Sequence, residues 1–147
     1  MHAENNENEE VRRLSHEYVP AVANGSVEIM GIARARGARV IVSVRSKDER
    51  VDPVGACVGA RGSRVRTWMQ QLPGEKVAVV RWADSPKTFL SNALAPARID
   101  DIFFQKTAHR AVIFTDFEGK QSIVGNDGSR LKLVSQLVGW DIQVETG

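Results

Sequence analysis

Apolar positions along the chain follow two periodicities, and their order repeats. Over residues 11–22, Val11, Leu14 and Tyr18 recur at helical spacing. Residues 27–36 and 38–46 then read as two strands joined at Gly37, with Val40, Val42 and Val44 alternating on one face. Further on, residues 86–94 set Phe89, Leu90 and Ala93 on one helical face. Pro86 suits a first helical turn there, with Asp84 or Ser85 as its cap. Residues 99–107 and 109–116 again read as a strand pair. Each half closes on a helix, marked by Val65, Trp68 and Leu72 in one and Leu131, Val134 and Val138 in the other. A glycine turn follows, Pro73-Gly74 or Gly139, and then a short strand, residues 77–80 or 142–144.

Between the strand pair and the closing helix lies a repeated string. Val58-Gly59-Ala60-Arg61-Gly62-Ser63-Arg64 returns as Val124-Gly125-Asn126-Asp127-Gly128-Ser129-Arg130. The predicted order in both halves is helix, strand, strand, short helix, glycine loop, helix, strand, an α+β arrangement. The expected divisions are a disordered acidic tail over residues 1–10, a first domain over 11–84 and a second over 85–147. Units this small have marginal cores, and no Gly/Ser-rich stretch separates them, so a rigid pair is expected.

A G-x-x-G turn between two helices lets a ligand approach the backbone closely, and the next helix offers unpaired N–H groups to an anion. Two glycines serving only a tight turn would account for one such loop, but the same loop in the same context twice favours a phosphate-binding role. The expected contacts are Val58, Gly59, Ala60, Arg61, Gly62, Ser63 and Arg64 in the first loop. In the second they are Gly125, Asn126, Asp127, Gly128, Ser129 and Arg130. Arg61 and Arg64 add cations to the first loop, with Arg66 close by. Asp127 opposes a phosphate by roughly 1 kcal/mol in water, and it reads better as a cap for the helix that begins at Gly128. Val54, Val58, Val65, Ile123, Val124 and Leu131 bracket the loops as candidates for an apolar base groove, some of them belonging to the core instead.

Charge sharpens this picture. The formal net charge is +2, yet residues 11–84 hold 13 Lys and Arg against 7 Asp and Glu, while residues 85–147 hold 7 against 7. The first half therefore carries a basic field suited to a polyanion, although plain solubility produces the same excess. Other chemistries find little support. A single cysteine, Cys57, excludes an intramolecular disulfide, three scattered histidines make no metal cluster, and neither the G-x-x-x-x-G-K-[ST] nor the G-x-G-x-x-G string is present. Ser63 and Ser129 have no histidine near them in sequence and read as first-turn helix residues, so no enzyme activity and no cofactor are expected. His16 reads as a helix residue, His109 as a strand or turn residue, and Cys57 as a small buried group. Trp68, Trp82 and Trp140 read as core. No stretch approaches the roughly 18 apolar residues of a membrane span, and the first ten residues resemble neither a signal nor a transit peptide, so a cytoplasmic location is expected.

The stretch from Val51 to Val65, VDPVGACVGARGSRV, resembles the signature of the first KH domain of the NusA family of bacterial transcription elongation and termination factors. Glu17-Tyr18-Val19-Pro20, Gly25-Ser26-Val27-Glu28-Ile29, the run Asn92 to Ala97 and Gly139-Trp140-Asp141-Ile142 are similar to the same family. The resemblance implies two tandem type II KH domains, each a three-stranded sheet covered by helices on one face, forming one extended surface. It implies binding of single-stranded nascent RNA, about four nucleotides to each loop, and action in elongation, pausing, termination and antitermination. RNA polymerase and other antitermination factors are the implied partners. Family members usually carry lysine where this chain has Asn126, which implies a weaker grip by the second loop. They also usually carry an N-terminal polymerase-binding domain and an S1 domain, neither of which falls within these 147 residues, as expected of a segment of a longer protein or of a short form. The alternatives are a protein-interaction scaffold and a ribosome-associated KH protein.

Overall fold

The computed structural model describes residues 3–146, which divide into two units, Met1–Trp82 and Ala83–Gly147. In the first unit α1 (Ala3–Tyr18) and the single turn α2 (Pro20–Ala23) precede the strands β1 (Val27–Ala35) and β2 (Arg39–Ser46). Then come α3 (Pro53–Val58), a 3₁₀ turn (Ala60–Gly62), α4 (Ser63–Gln71) and β3 (Lys76–Arg81). The second unit repeats the order with α5 (Pro86–Leu94), β4 (Asp101–Gln105), β5 (Arg110–Thr115), α6 (Phe117–Val124), α7 (Ser129–Val138) and β6 (Asp141–Thr146).

Both sheets have three strands in the order β1-β2-β3 and β4-β5-β6. The first pair in each is antiparallel and the second parallel. The parallel step follows from the chain path, because a glycine loop and two helices separate β2 from β3 and a tight hairpin is impossible. Val40, Val42 and Val44 on β2 join Val11, Leu14, Ile29, Cys57, Trp68 and Leu72 in one buried cluster. Trp68 is fully buried as the pattern requires, and truncation of such a side chain costs about 3–5 kcal/mol. In the second unit Ile102, Ala111, Ile113, Ile123, Leu133 and Val134 are buried.

The N-terminal helix departs from the pattern-based reading at both ends. It starts at Ala3, so the acidic lead-in expected as a disordered tail is helical through Glu10, whose carboxylate meets Arg34 at 2.8 Å. It stops at Tyr18 because Pro20 has no N–H to donate and forces Val19 into an extended conformation (φ −119°, ψ 101°). Helix resumes for one turn only. Arg34 and Glu75 form a bidentate pair at 2.8 Å with side chains 3% and 4% exposed, tying β1 to the turn before β3. No helix among the described residues is long and apolar enough to cross a membrane.

Candidate nucleic-acid interface

The first loop is built by its two flanking helices. Asp52 caps α3 by accepting from the Val54 amide at 3.2 Å, Pro53 occupies the first turn, and Arg81 pairs with the same carboxylate at 2.7 Å. The helix ends at Gly59, with φ 78° and ψ 168°. A Cβ placed there would lie 2.7 Å from the Arg64 Cβ and 2.8 Å from its amide nitrogen, so glycine is demanded by conformation and by space together. Arg61 and Gly62 follow at φ 55° and 75°, and α4 starts at Ser63.

This geometry sorts the arginines. Arg64 donates to the Ala56 carbonyl at 2.6 Å, and Arg66 donates to the Arg61 carbonyl at 2.6 Å. Both brace the turn from behind. Arg61 is exposed and has no side-chain partner among the described residues, and no backbone carbonyl takes the amides of Ala60 and Arg61. Two adjacent open donors beside one open cation thus lie at the entrance to α4, a chemistry that suits an oxyanion. Cys57, one turn behind, is buried, and burial pushes its thiol up to about 11, which keeps it neutral and inert.

The second loop repeats the two glycine conformations but differs between them, since Asp127, the counterpart of Arg61, does not share its positive φ. Gly125 (φ 71°, ψ −160°) and Gly128 (φ 74°, ψ 4°) match Gly59 and Gly62, but a Cβ at either would meet nothing within 4 Å. Asp127 accepts from the Ser129 amide at 3.0 Å from the position before the N-cap, which is Gly128, so it supports the first turn of α7 without being its cap. Arg130 donates to the carbonyls of Ala93 and Ala95, both at 3.3 Å, so it ties α7 to the end of α5. Asn126 and Ser129 are exposed.

Each unit thus gathers its own predicted residues at one turn, but the arginine after each G-x-x-G acts as a brace. Among the groove candidates Ile123 is core, whereas Val54, Val58, Val65, Val124 and Leu131 are half-buried around the loops. Trp140 is held by His109 stacked at 4.2 Å and by Phe104 edge-on at 4.8 Å, and His109 is a turn residue with φ 51°. Trp82 is half-buried under the Arg45 guanidinium.

Sequence reasoning missed a second repeat. Asp116 caps α6 by accepting from the Gly119 amide at 2.7 Å, so Asp116-Phe117-Glu118-Gly119 is the counterpart of Asp52-Pro53-Val54-Gly55. The match hides because α6 has 8 residues and α3 has 6, which shifts the spacing to the loop. An Asp-x-x-Gly search ahead of each loop would have found it. Gly119 is fixed by space, since a Cβ would collide with the Thr115 hydroxyl and come within 2.9 Å of the Arg98 carbonyl.

Comparison with known proteins agrees with this geometry. Residues 5–82 match the family model of the NusA-like first KH domain, and residues 86–147 match that of the NusA-like second KH domain. Curated relatives include the transcription termination/antitermination protein NusA of Bacillus subtilis, 36% identical over 137 residues, and that of Halalkalibacterium halodurans, 37% identical over 139 residues. Each alignment covers 92% of this chain but only 37% and 36% of those proteins, so the chain spans little more than a third of their length. Among solved structures, that of APE1850 superimposes with a TM-score of 0.62 over 88% of this chain and 96% of its own, at 19% identity, a likeness of fold.

Proposed function

The chain belongs to the NusA-like KH family, with that family's first and second KH domains in tandem, and from this premise we propose that it binds single-stranded RNA as part of transcription control. The observation that carries the reading is the first loop, where the amides of Ala60 and Arg61 have no backbone acceptor and the adjoining Arg61 is exposed. A phosphodiester set there leaves its bases beside the half-buried Val54, Val58 and Val65. The contacts are those of Val58 to Arg64 and Gly125 to Arg130. Arg64 and Arg130 shape the turns, and the second loop grips phosphate less strongly because Asp127 is anionic. The RNA is a nascent transcript, and the effects fall on elongation, pausing, termination and antitermination. RNA polymerase and other antitermination factors are the proposed protein partners.

The test is fluorescence anisotropy of a labelled unstructured RNA of about a dozen nucleotides at two salt concentrations, beside a duplex control. Salt-sensitive binding of the single strand alone is expected, with a marked loss in the folded Ala60→Asp/Arg61→Asp variant. Undiminished affinity in that variant would remove the first loop from the interface. A second reading, a protein-binding scaffold, draws on the exposed Phe103, Phe114 and Phe117 of the second unit. Capture of purified RNA polymerase that survives nuclease treatment would favour it.

A further inference from the structure

The first unit has a second cationic feature, away from the glycine loop. A cleft of about 220 Å³ opens between α1, the start of β1 and the end of β2, lined by Arg12, His16, Val22, Gly25, Val27, Glu28, Ile29 and Lys47. Arg12 and His16 stand four residues apart on α1 and so share a face. Lys47 joins them because its amide donates to the Ser26 carbonyl at 2.8 Å, which carries the β1–β2 pairing one step past Val27 and Ser46. All three side chains are exposed.

The only carboxylate in the lining, Glu28, is already engaged. The Arg45 guanidinium binds it at 2.8 Å and holds its carboxyl below the usual range. Arg12 touches protein through one Nη1 contact, to the Ile29 carbonyl at 3.4 Å, and its remaining N–H groups have no partner among the described residues. One ring nitrogen of His16 meets the Arg12 carbonyl at 3.0 Å, so the charge of the rim is that of Arg12 and Lys47, and Val22, Val27 and Ile29 give the cleft an apolar floor below it. The larger cleft of the unit, about 350 Å³, differs in the decisive respect, since Arg34 in its wall is closed against Glu75 and Glu10. A cationic rim, an apolar floor and a volume of this size fit one ribose phosphate.

We infer that the Arg12, His16 and Lys47 cleft holds a nucleotide of the bound RNA strand, a second phosphate contact beyond the glycine loop of the same unit. The inference rests on the RNA-binding reading above. It makes the footprint of the first unit longer than the roughly four nucleotides one loop clamps.

The test uses the whole chain and two labelled unstructured RNAs, of about five and about twelve nucleotides, titrated at two salt concentrations. Wild type is compared with Arg12→Gln/Lys47→Gln, with thermal unfolding as the check on folding. The shorter RNA should bind both proteins equally. The longer should bind the variant about tenfold more weakly, with a salt slope shallower by about 1.4 for two lost phosphate contacts on a single strand. Arg12→Lys should keep most of the affinity. Equal binding of the longer RNA by wild type and the folded double variant would overturn the inference. A flat wild-type titration with both RNAs would instead overturn the proposed function, and the inference with it. A parallel titration with adenosine 5′-monophosphate, followed through the Gly25 and Lys47 amide resonances, separates the source of the nucleotide. Shifts lost in the variant, together with unchanged binding of the longer RNA, would assign the cleft to a free nucleotide and overturn the strand reading.

Discussion

Replacing Glu75 with alanine should destabilise the first unit severely while leaving its RNA contacts in place. The Glu75 and Arg34 side chains are 4% and 3% exposed and share two bonds of 2.8 Å, and Arg34 also meets Glu10, itself 36% exposed. Removal of the carboxylate takes two short bonds from a guanidinium in a desolvated site, a situation that costs about 3–5 kcal/mol. That is a large share of the roughly 5–15 kcal/mol available to a small domain. The control is Glu28→Ala, which removes the exposed pair with Arg45 and should cost no more than about 1 kcal/mol. Urea unfolding followed by tryptophan fluorescence reads both, because Trp68 is buried in the same core. A double change, Arg34→Met/Glu75→Leu, should recover most of the loss, since it removes the buried charge together with its partner. A cost for Glu75→Ala no larger than that for Glu28→Ala would refute the claim that burial gives this pair its weight. RNA affinity, measured well below the unfolding midpoint, should be unchanged, because Glu75 stands outside the loop and the cationic cleft.

The same pair makes stability depend on pH. Arg34 holds the Glu75 carboxyl below its ordinary value of 4.5, so its contribution is complete above that pH and is lost as pH falls through the lower folded value. Urea midpoints taken below pH 4.5 should fall less steeply in Glu75→Gln than in wild type. Gly59→Ala should cost clearly more than Gly125→Ala by thermal unfolding. The latter meets open space and bears only the cost of a side chain in a backbone region that glycine alone adopts readily, about 1–3 kcal/mol, whereas the former adds a clash with Arg64. In anisotropy titrations Arg61→Ala should make the salt slope of RNA binding shallower by about 0.7, the mark of one lost phosphate contact on a single strand. Arg64→Ala should weaken binding with little change in that slope, because Arg64 acts through the Ala56 carbonyl.

Much of the fold was legible because its signals are local. Alternation in Val40, Val42 and Val44 and helical spacing in Val65, Trp68 and Leu72 report which face of each element is buried, and both elements formed where they were read. The glycines of the two loops were legible for a similar reason, since Gly59, Gly62, Gly125 and Gly128 all adopt positive φ. The helix of residues 11–22 was misread at both ends. Its extension to Ala3 is accompanied by a contact with Arg34 on a distant strand, and its break reflects Pro20, whose effect the apolar spacing of Val11, Leu14 and Tyr18 does not register.

The candidate site divides along the same line. Composition placed the basic field in the first half, and the repeated string located both turns, but one-dimensional order could not tell which arginines face solvent. Arg61, whose backbone lies in the left-handed region, is exposed. Arg64 and Arg130, the second residues of α4 and α7, reach carbonyls that folding brings beside them. The Arg34–Glu75 pair, 41 residues apart, and the convergence of Arg12, His16 and Lys47 on one cleft exist only once α1 has packed on the strand pair. The sequence by itself determined the two-fold repeat, the order of elements and the position of each turn, since these depend on backbone preference and burial period within a few residues. Tertiary structure alone decided which charges are braces and which are contacts, because a side chain's partner is set by chain segments that its neighbours in sequence do not encode.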